Sequence, residues 1–354
     1  MGRNFRVLAV FLAVVIVVCA AVPALSASKK GKRKKVQHRE TKVQTLQEQN
    51  KAQTEDAENE YNRGLVYAQQ GYYSEAVKCF NKAAHIGHVQ AQYNLGVAYH
   101  NGRGINQDYS EAVKWYRKAA EQGLAEAQYN LGVMYHNGWG VRQDYSEAVK
   151  WYRKAAEQDI ALAQHNLGAM YDEGNGVKRN RSEAVKWYQR AAELGLAQAQ
   201  FNLGVAYHKG DGVRINYLEA VKWYQKAAEQ GLIQAQYNLG AMYEHGDGVR
   251  QNYSEAIKWH TKAAEQGLAM SQYSLGYMYA SGDGIRRNFL EAVKWYRQAA
   301  EQGFAPAQYD LGVMYYNGYG VRQNDPEAIK WFRKAAQNGN SDAQSALIQL
   351  GETW

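Results

Sequence analysis

The sequence predicts an all-α solenoid of stacked antiparallel helix pairs, on three observations. Leu-Gly recurs at Leu95-Gly96, Leu131-Gly132, Leu167-Gly168, Leu203-Gly204, Leu239-Gly240, Leu275-Gly276 and Leu311-Gly312, at a constant step of 36 residues. Trp115, Trp151, Trp187, Trp223, Trp259, Trp295 and Trp331 keep that step. So do the Ala-Ala pairs, from Ala119-Ala120 to Ala335-Ala336. A fixed period of this length is the mark of a repeat array, in which each unit buries its apolar face on its neighbours.

The chain has 354 residues, and length alone would suggest two or three domains. A stacked array grows without splitting, so the repeat overrides that prior. The formal net charge of +8 is concentrated at one end. Residues 1–58 hold 11 Lys/Arg and 5 Asp/Glu, whereas residues 59–354 hold 31 and 29. The repeat body is nearly neutral, which argues against nucleic acid as a partner.

Residues 1–27 read as an export signal. Arg3 and Arg6 precede the apolar run Val7–Val22, and Pro23 and small residues follow. The run is short for a span of about 20 residues. A membrane anchor over residues 7–27 is the alternative, and the lysines just downstream leave it open. The expected location is the bacterial periplasm or the extracellular space, or the secretory lumen in a eukaryote. Residues 28–56 are polar and basic, with too few apolar residues to pack a core, and read as a linker or frayed helix. The cluster at residues 29–35 offers a contact to anionic lipid or wall polymer. Without the signal Cys79 is the sole cysteine, at the Trp position of the repeat, where a small buried residue is expected.

One repeat can be read residue by residue. A short helix A runs from Ala91 to about His100, and Gly102-Arg103-Gly104-Ile105 is a turn. Asp108 caps helix B, with Glu111 three residues on, and Gly123 ends that helix in the left-handed conformation. Pro306 and Pro326 each fall in the first turn of an expected helix, where proline is tolerated. Gly96 and its copies lie mid-helix at a cost of about 1 kcal/mol each relative to Ala, which implies backbones too close for a Cβ. Leu95, Tyr99, Trp115 and Tyr116 should fill the space between helices. The ends differ: residues 57–88 form a shorter first unit, seven full repeats span 89–340, and residues 341–354 supply a last A-type helix as a cap.

The consensus A-x-A-Q-Y-N-L-G-x-M-Y-x-x-G-x-G-V, followed by S-E-A-V-K-W-Y-x-K-A-A-E-Q-G, resembles the Sel-one-like repeat family, relatives of the tetratricopeptide repeats. The resemblance covers residues 57–354, and the first unit resembles a tetratricopeptide repeat outright. It implies a right-handed superhelix and an adaptor or scaffold role in envelope signalling, complex assembly or host interaction. One branch of that family carries a cysteine pair in each repeat and is linked to penicillin binding; this sequence lacks those cysteines.

Other chemistry is not legible. Gly102-x-Gly104 lacks the third glycine of a dinucleotide fingerprint and the Lys-Ser/Thr of a P-loop. His100, His136 and His208 share one repeat position, but Asp172 and Glu244 interrupt the column, and neighbouring copies about 10 Å apart are too distant for a shared metal. No cofactor or metal is expected. An envelope enzyme acting on cell-wall or β-lactam material is the alternative function; it should show one repeat breaking pattern with clustered Ser, Lys, His or Glu.

Recognition belongs on the second face of helix A. At about 100° per residue, Ala91, Leu95, Gly96 and Tyr99 share the packing face. Gln90, Tyr93, Asn94, Val97 and Asn101 share the other, which the tetratricopeptide resemblance maps onto a concave groove. Asn94, Asn130, Asn166, Asn202 and Asn238 hold one position of that face, which then becomes Ser274 and Asp310. A row of carboxamides has both donors and acceptors for an extended peptide backbone; equally, each Asn could tie down its neighbouring helix. Tyr129, His165, Phe201 and Tyr237 offer side-chain platforms beside them. The expected function is an exported, non-catalytic scaffold that holds a protein or peptide in this groove.

Overall fold

The computed structural model describes residues 29–354, and the apolar run and the expected signal lie outside them. Among the described residues there are seventeen helices and no strand. The first pair is α1 (Lys29–Gln69) and α2 (Tyr73–Ile86). Seven A–B pairs follow: α3 (Val89–Asn101) with α4 (Tyr109–Glu121), α5 (Ala125–Asn137) with α6 (Tyr145–Ala156), α7 (Ala161–Glu173) with α8 (Arg181–Glu193), and α9 (Ala197–Lys209) with α10 (Tyr217–Glu229). They continue with α11 (Ile233–His245) and α12 (Tyr253–Glu265), α13 (Ala269–Ser281) and α14 (Phe289–Glu301), and α15 (Ala305–Asn317) and α16 (Asp325–Gln337). The single helix α17 (Ser341–Gln349) closes the order, and each helix packs on its neighbours in sequence.

The expected linker is helical, being the first part of α1. From Lys32 to Arg63 the chain has neither Gly nor Pro and is rich in Lys, Gln, Glu and Ala, all good helix formers. Residues 47–56 are exposed, and burial begins at Ala57, the first core residue of the array. Low apolar content decides whether a segment packs, not whether it is helical.

Local signals place the repeat helices. The Asp108 carboxylate accepts hydrogen bonds from the backbone N–H groups of Ser110 and Glu111 at 2.9 and 3.0 Å, satisfying orphan donors of the first turn. Gly123 is left-handed with φ of 96°. Gly104 has φ of 77° and lies against the backbone of Tyr73, so the Gly-x-Gly segment is a turn seated on the preceding B helix. Pro306 and Pro326 lie in the first turns of α15 and α16.

The mid-helix glycine has a different cause from the one expected. A Cβ on Gly96 would come within 2.7 Å of the Tyr116 ring, and on Gly132 within 2.6 Å of Tyr152. The close approach is by the aromatic ring of the repeat's own B helix, not by a backbone. Tyr116 and Tyr152 are 2% and 1% exposed, so the ring has no other place to go. The Ala pairs of the B helix are buried around it. In α17 the equivalent position is Ile348, which is 64% exposed. A β-branched side chain thus stands where a ring would sit, while Ala343 and Leu347 cover α16.

Candidate functional site

The second face of the A helices forms a row that no other helix covers among the described residues. In α3, Gln90 and Asn101 are exposed and Tyr93, Asn94 and Val97 are half-buried, against fully buried Ala91 and Leu95. The other full repeats keep the half-buried pair: Tyr129 with Asn130, His165 with Asn166, Phe201 with Asn202, Tyr237 with Asn238. The aromatic members lie over the B-helix ring that occupies the glycine notch. Ring centroids are 6.0 Å apart for Tyr129–Tyr152, 5.6 Å for His165–Tyr188 and 5.8 Å for Phe201–Tyr224.

The asparagines link successive A helices. Asn130 Nδ2 donates to the Tyr93 hydroxyl at 3.4 Å, and Asn202 Nδ2 lies 3.1 Å from His165 Nε2. Asn166 lies near the Tyr129 and Tyr152 phenols, and Asn94 near that of Tyr61. The two bonds give Asn130 and Asn202 an internal tie. A carboxamide has two donors and two acceptor lone pairs, so the ties leave capacity for a partner.

A second carboxamide row lies in the interior and was not singled out in the sequence. Gln92, Gln128, Gln200, Gln236, Gln272 and Gln308 are each 4–5% exposed, and Gln164 is 0% exposed. Gln200 Nε2 donates to the Ala192 carbonyl at 3.1 Å, and its Oε1 accepts from Gln230 Nε2 at 2.8 Å. One side chain therefore joins the preceding B helix to the end of its own. The signal was available: Gln92, Leu95, Gly96 and Tyr99 are spaced i, i+3, i+4, i+7, which puts Gln on the packing face. In the third full repeat Leu194 stands where Gln230 stands in the next, and Gln164 Oε1 is buried without a partner.

The row changes chemistry towards its end. Ser274 and Asp310 replace Asn. Burial pushes the Asp310 carboxyl up to about 6, a hydrogen bond from Tyr273 opposes this, and Asp342 nearby adds to it. The folded state therefore holds this proton more tightly than the unfolded chain. The stability it contributes is fully present below the ordinary carboxylate value and is lost as pH rises through about 6. Asp310→Asn should remove that decline. Denaturant melts should show a higher midpoint than the native chain at pH 7 and little difference near pH 4; equal midpoints at pH 7 would refute the account.

No His, Cys, Asp and Glu side chains among the described residues are grouped to hold a metal ion. The His column is spent on packing: His100 lies edge-on to Tyr109 at 5.3 Å, and burial lowers its pKa. Cys79 is 2% exposed, with Arg63 Nε 3.3 Å from its sulfur. No helix among the described residues is long and apolar enough to cross a membrane.

Comparison with known proteins settles the family. The Sel1 repeat model matches residues 89–124, 125–160, 161–196, 197–232, 233–268, 269–304 and 305–340, and the tetratricopeptide repeat model matches residues 57–86. The chain belongs to the Sel1 repeat family. Sel1 repeat proteins are generally non-catalytic scaffolds that bind protein partners. The Sel1 array is similar to the crystal structure of c5321, a protective antigen of uropathogenic Escherichia coli strains, with 41% identity and a TM-score of 0.81 over 86% of this chain. The chain spans 66% of that protein's length. A Sel1 repeat protein from Oxalobacter formigenes is 34% identical, with a TM-score of 0.65, over 86% of this chain and 90% of the other. No curated protein matches the chain.

Proposed function

We propose that this Sel1 chain is an exported, non-catalytic scaffold that holds an extended or helical protein segment in a concave groove lined by its A helices. The row of half-buried aromatics and carboxamides, covered by no other helix among the described residues, carries this reading. Rigid neighbours on both sides hold the central repeats, so little entropy is lost when a segment docks there. Asn94, Asn130, Asn166, Asn202 and Asn238 would supply backbone contacts, and Tyr129, His165, Phe201 and Tyr237 the platforms. The triple change Asn166→Ala, Phe201→Ala and Asn202→Ala should weaken partner capture several-fold, with circular dichroism confirming the fold. Because these residues also tie helices together, Leu162→Arg is the companion variant: Leu162 is 48% exposed in the same row. Undiminished capture by both folded variants would end the groove reading.

Export rests on Arg3, Arg6 and Val7–Val22, with residues 29–35 as a contact to membrane or wall. The description of c5321 as a protective antigen supports an exposed location. A fusion to a reporter active only outside the cytoplasm should give signal; no signal there, with signal from a cytoplasm-active reporter fused at the same point, would contradict export.

A further inference from the structure

The outward row of the A helices is acidic, and four of its five acids form no ion pair among the described residues. Across α1 and the A helices it carries Glu58, Glu126, Glu173, Asp310 and Asp342, against Lys209 and the histidine His245. The first turns of the B helices treat carboxylates differently. Glu111, Glu147, Glu183, Glu219, Glu255, Glu291 and Glu327 each bridge a lysine three residues on, at 2.5–3.1 Å. Glu58 contacts His88 at 3.0 Å, but Glu126, Glu173, Asp310 and Asp342 form no ion pair among the described residues. Five acids against one lysine leave the row with a negative charge that its own side chains do not offset.

The end of the row concentrates the effect. Asp310 is half-buried at a position that is Asn in five full repeats, and a field from Asp342 on α17 reaches it. Tyr273, Tyr277 and Tyr309 stand around the two carboxylates, with Tyr277 49% exposed. Carboxylates rimmed by aromatic rings suit a cationic side chain, which gains both charge pairing and contact with ring faces. Resting on the groove reading above, we propose that the segment held by the A row is basic and seats an Arg or Lys at Asp310 and Asp342.

The test uses the full chain and three short fluorescent peptides, identical except that alternate positions carry Arg, Gln or Glu. Fluorescence anisotropy at moderate salt should show the Arg peptide binding about tenfold tighter than the Gln peptide, and the Glu peptide weakest. Asp310→Asn and Asp342→Asn should each weaken the Arg peptide by several-fold. Asp310→Asn restores the residue of the other repeats and is expected to stabilise the fold, so a lost affinity would not reflect unfolding. Equal affinity for the Arg and Gln peptides, no binding of any of them, or an Arg peptide indifferent to both substitutions would overturn the proposal. Crosslinking the peptide that binds tightest separates the two readings. A neutral or acidic peptide mapped to the A row leaves the groove standing and removes its basic partner. A crosslink on the B helices removes both.

Discussion

Gly204→Val is expected to lower the denaturation midpoint of the chain sharply. A Cβ at this position would lie 2.6 Å from Tyr224 Cδ1 and 2.7 Å from Cε1. Tyr224 is 1% exposed and packed among Ala220, Ala227 and Leu239, so the ring cannot yield without opening the interface. Valine adds two methyl groups to that clash, and overpacking of this kind costs about 1–3 kcal/mol before any change in helix propensity. In an array whose stability is a sum of neighbouring interfaces, weakening a central one should also split the transition in two. The cause is separable by a double-mutant cycle. Tyr224→Leu removes the ring, and Gly204→Val should then cost less than it does alone. A single transition with an unchanged midpoint would show that the notch is not filled as described.

Gln200→Leu should be the next most damaging change. Leucine matches the volume but removes the hydrogen bonds that Gln200 makes to the Ala192 carbonyl and the Gln230 amide, leaving each only its contact with the Gly195 backbone. Each lost hydrogen bond costs about 0.5–1.5 kcal/mol. The converse is available in the same protein, because Leu194 denies Gln164 the donor that other repeats receive. Leu194→Gln should raise the midpoint by an amount corresponding to about 1 kcal/mol. Stability gained at one site and lost at the other would identify the glutamine relay as the source. No change at either would show that solvent satisfies these groups.

The period alone made the fold legible. A step of 36 residues with Gly-x-Gly turns, Asp or Asn caps and a terminal glycine fixes helix lengths and turns, and α3 and α4 lie within two residues of the spans expected. The role of Gly96 was half legible. Its invariance announced a close contact, but whether backbone or ring fills a notch depends on how the partner side chain is aimed, which spacing does not specify. The glutamine relay escaped notice because Gln reads as a surface residue until its place on the packing face is drawn. The opposite error threatened the asparagines: they sit on the outward face, yet Asn130 and Asn202 spend a donor on the neighbouring helix. The unpaired charge of the row was invisible because the acids are scattered over several repeats at three different positions. Only when the repeats are aligned do these acids fall on one face, where a single lysine, Lys209, opposes them.

Site-specific photo-crosslinking tests the central claim most directly. A photoreactive residue placed at Leu162, Gln198 or Gln234 samples the A row, and one at Lys186 or Lys222 samples the B-helix surface; all five positions are exposed. A scaffold that holds its partner in the A row should yield crosslinked partner from the first three positions and not from the two lysines. Crosslinks confined to Lys186 and Lys222 would contradict it.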